Sequence, residues 1–180
     1  ITFDTGGVCV KPAARMEEMR ADMAGAAAAA GALLALARRR SPAPAAAVLA
    51  IAENALGASS YRPGDVLSML DGRSVEVVDT DAEGRLVLAD ALVHARRALR
   101  PAALVTLATL TGSVVVALGH HRAGLFGNDP PLMASLAAAG EAVGERLWPL
   151  PIGERHHRDL DSDIADLRHC LPAGKGEGWG

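Results

Sequence analysis

Asp79-Thr80-Asp81-Ala82-Glu83-Gly84-Arg85-Leu86 lies between an apolar, β-branched run at residues 75–78 and a helical pattern over residues 86–99. A strand that turns through a short loop into a helix is the unit from which α/β domains are built. Toward the N-terminus, Arg62-Pro63-Gly64-Asp65 reads as a turn leading into a short strand at residues 66–70. Residues 46–52 read as a buried strand, apolar on both faces. Before it an alanine-rich helix is predicted from about Arg15 to Arg40, stopped by Ser41-Pro42-Ala43-Pro44. Ile1-Thr2-Phe3-Asp4 reads as a strand. Toward the C-terminus, residues 103–108 predict another apolar strand, and residues 113–118 fit either a strand or a buried helix start. Residues 132–144 and, more weakly, 154–166 read as helices. The pattern predicts an α/β fold: a mixed, mostly parallel sheet with helices on both faces.

The bulk properties narrow the function classes. At 180 residues, half of them hydrophobic, the chain suits one domain that buries roughly two-thirds of its unfolded surface. A net charge of -3 and a pI near 6.1 give no electrostatic reason to expect nucleic acid as a partner. Arg38-Arg39-Arg40 sits where positive charge complements a helix C-terminus. Two cysteines, Cys9 and Cys170, do not make a disulfide framework, so a cytoplasmic setting is expected. The longest apolar run, residues 24–37, falls short of the roughly 20 residues a membrane span requires, and no signal peptide opens the chain. Ile1 as first residue and the glycine-rich segment 172–180 read as the ends of a fragment.

In α/β sheets, sites form beyond the carboxyl ends of strands. Asp4, Glu53-Asn54, residues 79–83 and Thr109 all fall just after predicted strands, while Asp22 lies in the first helix. If Asp4, Asp22, Asp81 and Glu83 converge, their like charges repel, and divalent cations would cancel that repulsion. All-oxygen ligands suit Mg, Mn or Zn. Taken singly, each carboxylate also fits a surface group or a helix cap, as Asp79 or Asp81 would be for the helix that follows. A calcium-loop reading of Asp79-x-Asp81-x-Glu83-Gly84 with Asp90 fits less well. Asp90 replaces the closing Glu, and a strand rather than a helix precedes the loop. His120-His121 and His156-His157 lack a third partner at ligand spacing, and Trp148 and Phe126 are expected in the core.

The octapeptide matches seven of the eight residues of N-T-D-A-E-G-R-L, the signature of the leucyl (cytosol) aminopeptidase family, and so resembles it. Ile1-Thr2-Phe3-Asp4-Thr5-Gly6-Gly7 with Lys11-Pro12 resembles another block of that family. So do Met19, Asp22 and Met23 by spacing, Tyr61-Arg62-Pro63-Gly64-Asp65, Ala108-Thr109-Leu110-Thr111-Gly112, Ala117-Leu118-Gly119 and residues 162–167. The resemblance runs in order over residues 1–167. It implies a two-metal peptidase that removes N-terminal residues from peptides. Asp4, Asp81 and Glu83 match the ligands of one ion; Asp4, Asp22 and Glu83 match those of the other, with Zn or Mn expected. Lys11 matches the lysine that polarises the scissile carbonyl, and Arg85 the arginine that holds a bicarbonate proton shuttle. Met19, Thr109, Leu110 and Gly112 match positions lining the substrate site. The family resemblance also implies a homohexamer.

Three departures bear on activity. The family's further lysine ligand lies two residues before Ile1, outside this chain. Asp79 replaces the signature's leading Asn, adding negative charge. The segment from Leu171 does not follow the family's continuation. Residues 1–180 are therefore read as a catalytic domain without the N-terminal domain, that first lysine and the C-terminal closing elements. The alternative is a truncated or degenerate member that at most binds metal.

Overall fold

The computed structural model describes residues 1–172. It contains two compact units, one of residues Ile1–Leu110 with Ser162–Pro172, the other centred on Thr111–Asp161. The fold is α/β, with small sheets and helices.

In the first unit, a short 3-10 turn at Met16–Ala21 leads into α1, Ala24–Arg38. β1 (Val66–Ser68) and β2 (Ser74–Glu76) form an antiparallel hairpin, and β5 (Leu167–Arg168) adds to β2 in parallel. The register pairs Val75 with Leu167 and Glu76 with Arg168. Beyond β2, residues 79–83 include a single 3-10 turn, and α2 follows at Gly84–Leu99. Val75, Val77, Leu86 and Ala95 are buried. The opening residues lie beside residues 52–54: Thr2 N–H donates to the Ala52 carbonyl, Asn54 N–H to Phe3 and Thr5 N–H to Asn54. Asp4 and Asn54 thereby form one parallel bridge.

The second unit contains α3 (Ser113–Leu118), β3 (Ala123–Leu125), α4 (Pro130–Val143), β4 (Leu147–Pro149) and α5 (Glu154–Arg158). β3 and β4 pair in parallel, so two of the three strand pairs are parallel, in keeping with a mixed, mostly parallel sheet. Asp129 caps α4 by accepting the Leu132 N–H at 3.0 Å, with Pro130 and Pro131 opening the helix.

Several expectations are corrected. Residues 46–52 and 103–108 form no strand ladder among the described residues. Their apolar side chains are open: Ile51 is 73% and Val105 51% exposed. Apolarity on both faces records a need for flanking strands and covering helices, and within the described residues neither segment has them. Residues 113–118 resolve as helix, and the helix expected over 154–166 ends at Arg158. Trp148 is half exposed rather than core, with the Arg122 guanidinium 5.3 Å over its ring. The helical stretch Met16–Arg38 reaches 23 residues, long and apolar enough by length and composition to cross a membrane, where the run 24–37 was too short. One side of it packs on its own unit. A Cβ on Gly25 would collide with the Leu107 carbonyl, and Thr109 Oγ1 donates to Asp22 Oδ1 at 2.6 Å. The segment from residue 173 lies outside the described residues.

Val77 is wholly buried between the hairpin and the loop that follows it. Val77→Ala should lower stability by about 2 kcal/mol, read as a lower urea midpoint with an unchanged slope.

Candidate metal centre

Asp4 follows the opening segment, and the Asp4–Asn54 bridge places it beside residue 54. Asp81 and Glu83 come from the loop between β2 and α2. One carboxylate oxygen from each of Asp4, Asp81 and Glu83 falls within 4.8 Å of the others. Asp4 and Glu83 are buried, whereas Asp81 is exposed.

A web of polar contacts holds these three in place. Asn54 Nδ2 lies 2.9 Å from Asp4 Oδ1, 2.9 Å from the Thr80 carbonyl and 3.1 Å from Glu83 Oε2. Its two hydrogens are thus shared among three acceptors, two of them carboxylates. Gly6 N–H donates to Asp4 Oδ1 at 2.8 Å. Gly6 has φ +84°, and a Cβ there would stand 3.0 Å from Asp81 Oδ1, so the chain needs glycine at this approach. Thr80, fully buried, donates through Oγ1 to the Gly6 carbonyl at 2.6 Å and accepts the Cys9 N–H at 2.8 Å. Tyr61 O–H donates to the Thr80 carbonyl at 3.2 Å. Burial and the nearby Glu83 and Asp4 charges push the Tyr61 phenol up.

Lys11 Nζ sits 2.7 Å from Asp4 Oδ2 and 2.6 Å from Asp81 Oδ1. Burial opposes the ammonium, but the two carboxylates outweigh it and raise its pKa. Burial likewise opposes the Asp4 carboxylate. The Lys11 ammonium, the Gly6 N–H and the Asn54 amide overcome that and hold Asp4 below its ordinary value. Asp81 is raised, by burial first and then by the Asp4 and Asp79 charges. Glu83 is pushed up to about 7 by burial and by the charges of Asp4, Asp22 and Asp81. A hard divalent cation would fit the oxygen donors of this cluster and offset the like charges of its carboxylates.

The other expected residues are placed as follows. Asp22 lies outside the group of three; its carboxylate accepts from Thr109, which ties Thr109 to the same unit. Leu110 Cδ1 would lie 3.3 Å from a Cβ on Gly84, which puts it beside the loop. Met19 is half-buried, and its carbonyl accepts the Asp22 N–H. Gly112 belongs to the second unit, where its carbonyl accepts from Val115 and Val116 at the start of α3. Arg85 Nη1 donates to the His169 carbonyl at 2.9 Å, while its buried Nε has no partner. Among the described residues that donor is unpaired, and a small oxyanion such as bicarbonate would suit it chemically. Asp90 accepts the Leu70 N–H at 2.8 Å and Asp79 accepts the Asp81 N–H at 2.9 Å, so neither serves a calcium loop. Sequence reasoning missed Asn54, Thr80, Tyr61 and His169 as parts of the site. The advance signals were Asn54 after a predicted strand, Thr80 within the octapeptide and Tyr61 at the head of a family-like block.

Comparison with known proteins identifies the family. The profile of the cytosol aminopeptidase family, catalytic domain, matches residues 1–178. A probable cytosol aminopeptidase of Gluconobacter oxydans is 50% identical over 94% of this chain and 34% of its own length. One of Roseiflexus castenholzii is 52% identical over 94% and 35%. The leucyl aminopeptidase of Trypanosoma brucei, solved with bestatin, superposes with a TM-score of 0.87 at 38% identity, over 95% of this chain and 34% of that one. The bottromycin maturation enzyme BotP, solved with Mn, gives 0.80 at 40% identity, over 94% and 38%. The chain thus spans about a third of the length of these relatives. With its acidic cluster, its ordered motifs and a profile match over nearly its whole length, this chain belongs to the cytosol aminopeptidase family.

Proposed function

We propose that the protein to which this chain belongs is a metal-dependent aminopeptidase that hydrolyses the first peptide bond of peptides with a free N-terminus. The observation that carries this is the meeting of Asp4, Asp81 and Glu83, with the Lys11 ammonium against Asp4 and Asp81, in a chain of this family. Two divalent ions, Zn or Mn, are the cofactors assigned; Asp4, Asp81 and Glu83 would hold one, and Asp4, Asp22 and Glu83 the other. When bound, such ions supply Lewis acidity and a water of lowered pKa.

The chain's own residues do the rest. Lys11 presents an ammonium where negative charge develops on a carbonyl oxygen, and help given there acts on the transition state. Arg85 keeps one guanidinium nitrogen on the His169 carbonyl and has Nε free to hold bicarbonate, which would carry protons. Met19, Thr109 and Leu110 would line the substrate site, with Thr109 held by its hydrogen bond to Asp22. A homohexamer in the cytoplasm is the assembly and setting proposed, in line with relatives named cytosol aminopeptidases. A second reading, that residues 1–180 alone are catalytically silent and at most bind metal, is favoured by the open apolar segments around Ile51 and Val105.

The full-length protein should cleave leucyl-amide and leucyl-peptides, lose activity to a chelator and recover it with Mn or Zn. N-acetylated peptides should resist cleavage. Turnover that survives chelation, or none with any added metal, contradicts the assignment. Lys11→Met should lower kcat by about 10²–10³-fold with little change in KM, as for the removal of a transition-state donor.

Glu83 provides a pH test. Its pKa of about 7 in the folded protein exceeds the ordinary 4.5, so between those values the folded state holds a proton that the unfolded chain has released. Stability of the chelated protein should therefore fall as pH rises through that window. Metal binding must expel the proton, so affinity should weaken as pH drops below about 7. Calorimetry near pH 6 in buffers of different ionisation enthalpy should detect close to one proton released; Glu83→Gln should abolish that release.

A further inference from the structure

His169 is the buried group in this unit that the proposed chemistry does not use. It is 5% exposed and follows β5, the strand that pairs with β2. Its N–H extends the ladder by donating to the Glu76 carbonyl at 3.2 Å. From there the ring turns back on the main chain of residues 76–79, where β2 ends and the ligand-bearing loop begins.

The ring's hydrogens follow from its neighbours. Nε2 lies 2.7 Å from the Asp79 carbonyl, and a carbonyl can only accept, so Nε2 carries a hydrogen. Nδ1 lies 3.3 Å from the Val78 N–H and 3.1 Å from the Glu76 carbonyl. In the neutral ring Nδ1 accepts from Val78, a main-chain donor that no strand partner takes up. Burial favours that neutral form by lowering the imidazole pKa. At its own carbonyl, His169 receives Arg85 Nη1 at 2.9 Å. One residue thus contacts both ends of the segment that carries Asp81 and Glu83, the loop start at Asp79 and the first turn of α2 at Arg85.

We propose that His169 is a positioning residue for the metal centre, acting through its Nε2–H bond to the Asp79 carbonyl and its carbonyl bond to Arg85. It sets where Asp81 and Glu83 present their oxygens and fixes one arm of the Arg85 guanidinium, leaving Nε for an anion. The inference rests on the metal-centre reading above. The energetic reason is that a ligand loop held in place before the ion arrives does not have to be ordered on binding, and partners of ligating groups affect metal affinity for that reason.

Two substitutions of similar volume separate positioning from packing. His169→Gln keeps an N–H donor near the position of Nε2, and His169→Leu fills the space with none. Mn²⁺ affinity of the full-length protein, measured by calorimetry after chelation, should fall by about 10-fold to 100-fold in His169→Leu. It should stay within about threefold of the parent in His169→Gln, against the ordinary scatter of such substitutions. Equal affinities in both variants, whether both kept or both lost, overturn the proposal, because the donor would then be irrelevant. A parent protein that binds no Mn²⁺ overturns the metal-centre reading itself and this inference with it, a result distinct from equal binding by both variants.

Discussion

Three carboxylates that share a space under 5 Å across repel one another, and this unit is arranged around cancelling that repulsion. Two of the three are buried, which removes the water that would otherwise screen them. The Lys11 ammonium, one amide and one backbone N–H offset part of the charge. Glu83 is pushed up to about 7, by burial first and then by the charges of Asp4, Asp22 and Asp81. A cation of higher charge with a preference for oxygen is the direct chemical answer.

That arrangement shapes the scaffold. The buried side chains of the first unit are as much polar as apolar: Asp4, Asn54, Thr80, Glu83 and His169 beside Val75, Val77, Leu86 and Ala95. Buried polar groups are tolerated only when satisfied, and here each has a partner. Thr80 joins the Gly6 and Cys9 main chain to the loop, Asn54 joins both carboxylates to it, and His169 holds its start. The hairpin of β1 and β2, extended by β5, sets the point from which the loop departs, and α2 sets where it ends.

Much of the site was legible because its chemistry uses scarce residue types at set spacings. Asp4, Lys11, Asp81, Glu83 and Arg85 stand out as charged groups after strands, and the structure brings the first four together. The roles of Thr80 and His169 were not legible: a hydroxyl and an imidazole have too many ordinary roles for their spacing to speak, and their partners are main-chain atoms. Asp22, read as a ligand, accepts a hydrogen bond from Thr109, and its charge still reaches Glu83. In the fold, the loop-to-helix junction and the β1–β2 hairpin could be read from turn residues and periodicity. The runs 46–52 and 103–108 misled because apolar periodicity reports burial in a larger sheet than the described residues form. Trp148 misled because its apolar ring also suits a cation partner at the surface.

The account stands most directly on where a metal ion binds. Crystals of the full-length protein soaked in Mn²⁺ and measured for anomalous scattering should show a peak about 2.0–2.2 Å from oxygens of Asp4, Asp81 and Glu83. A second peak about 3.5–4 Å away is expected for a paired site. An active, Mn-loaded crystal with no anomalous density at these carboxylates, and Lys11 still bridging Asp4 and Asp81, would contradict the account.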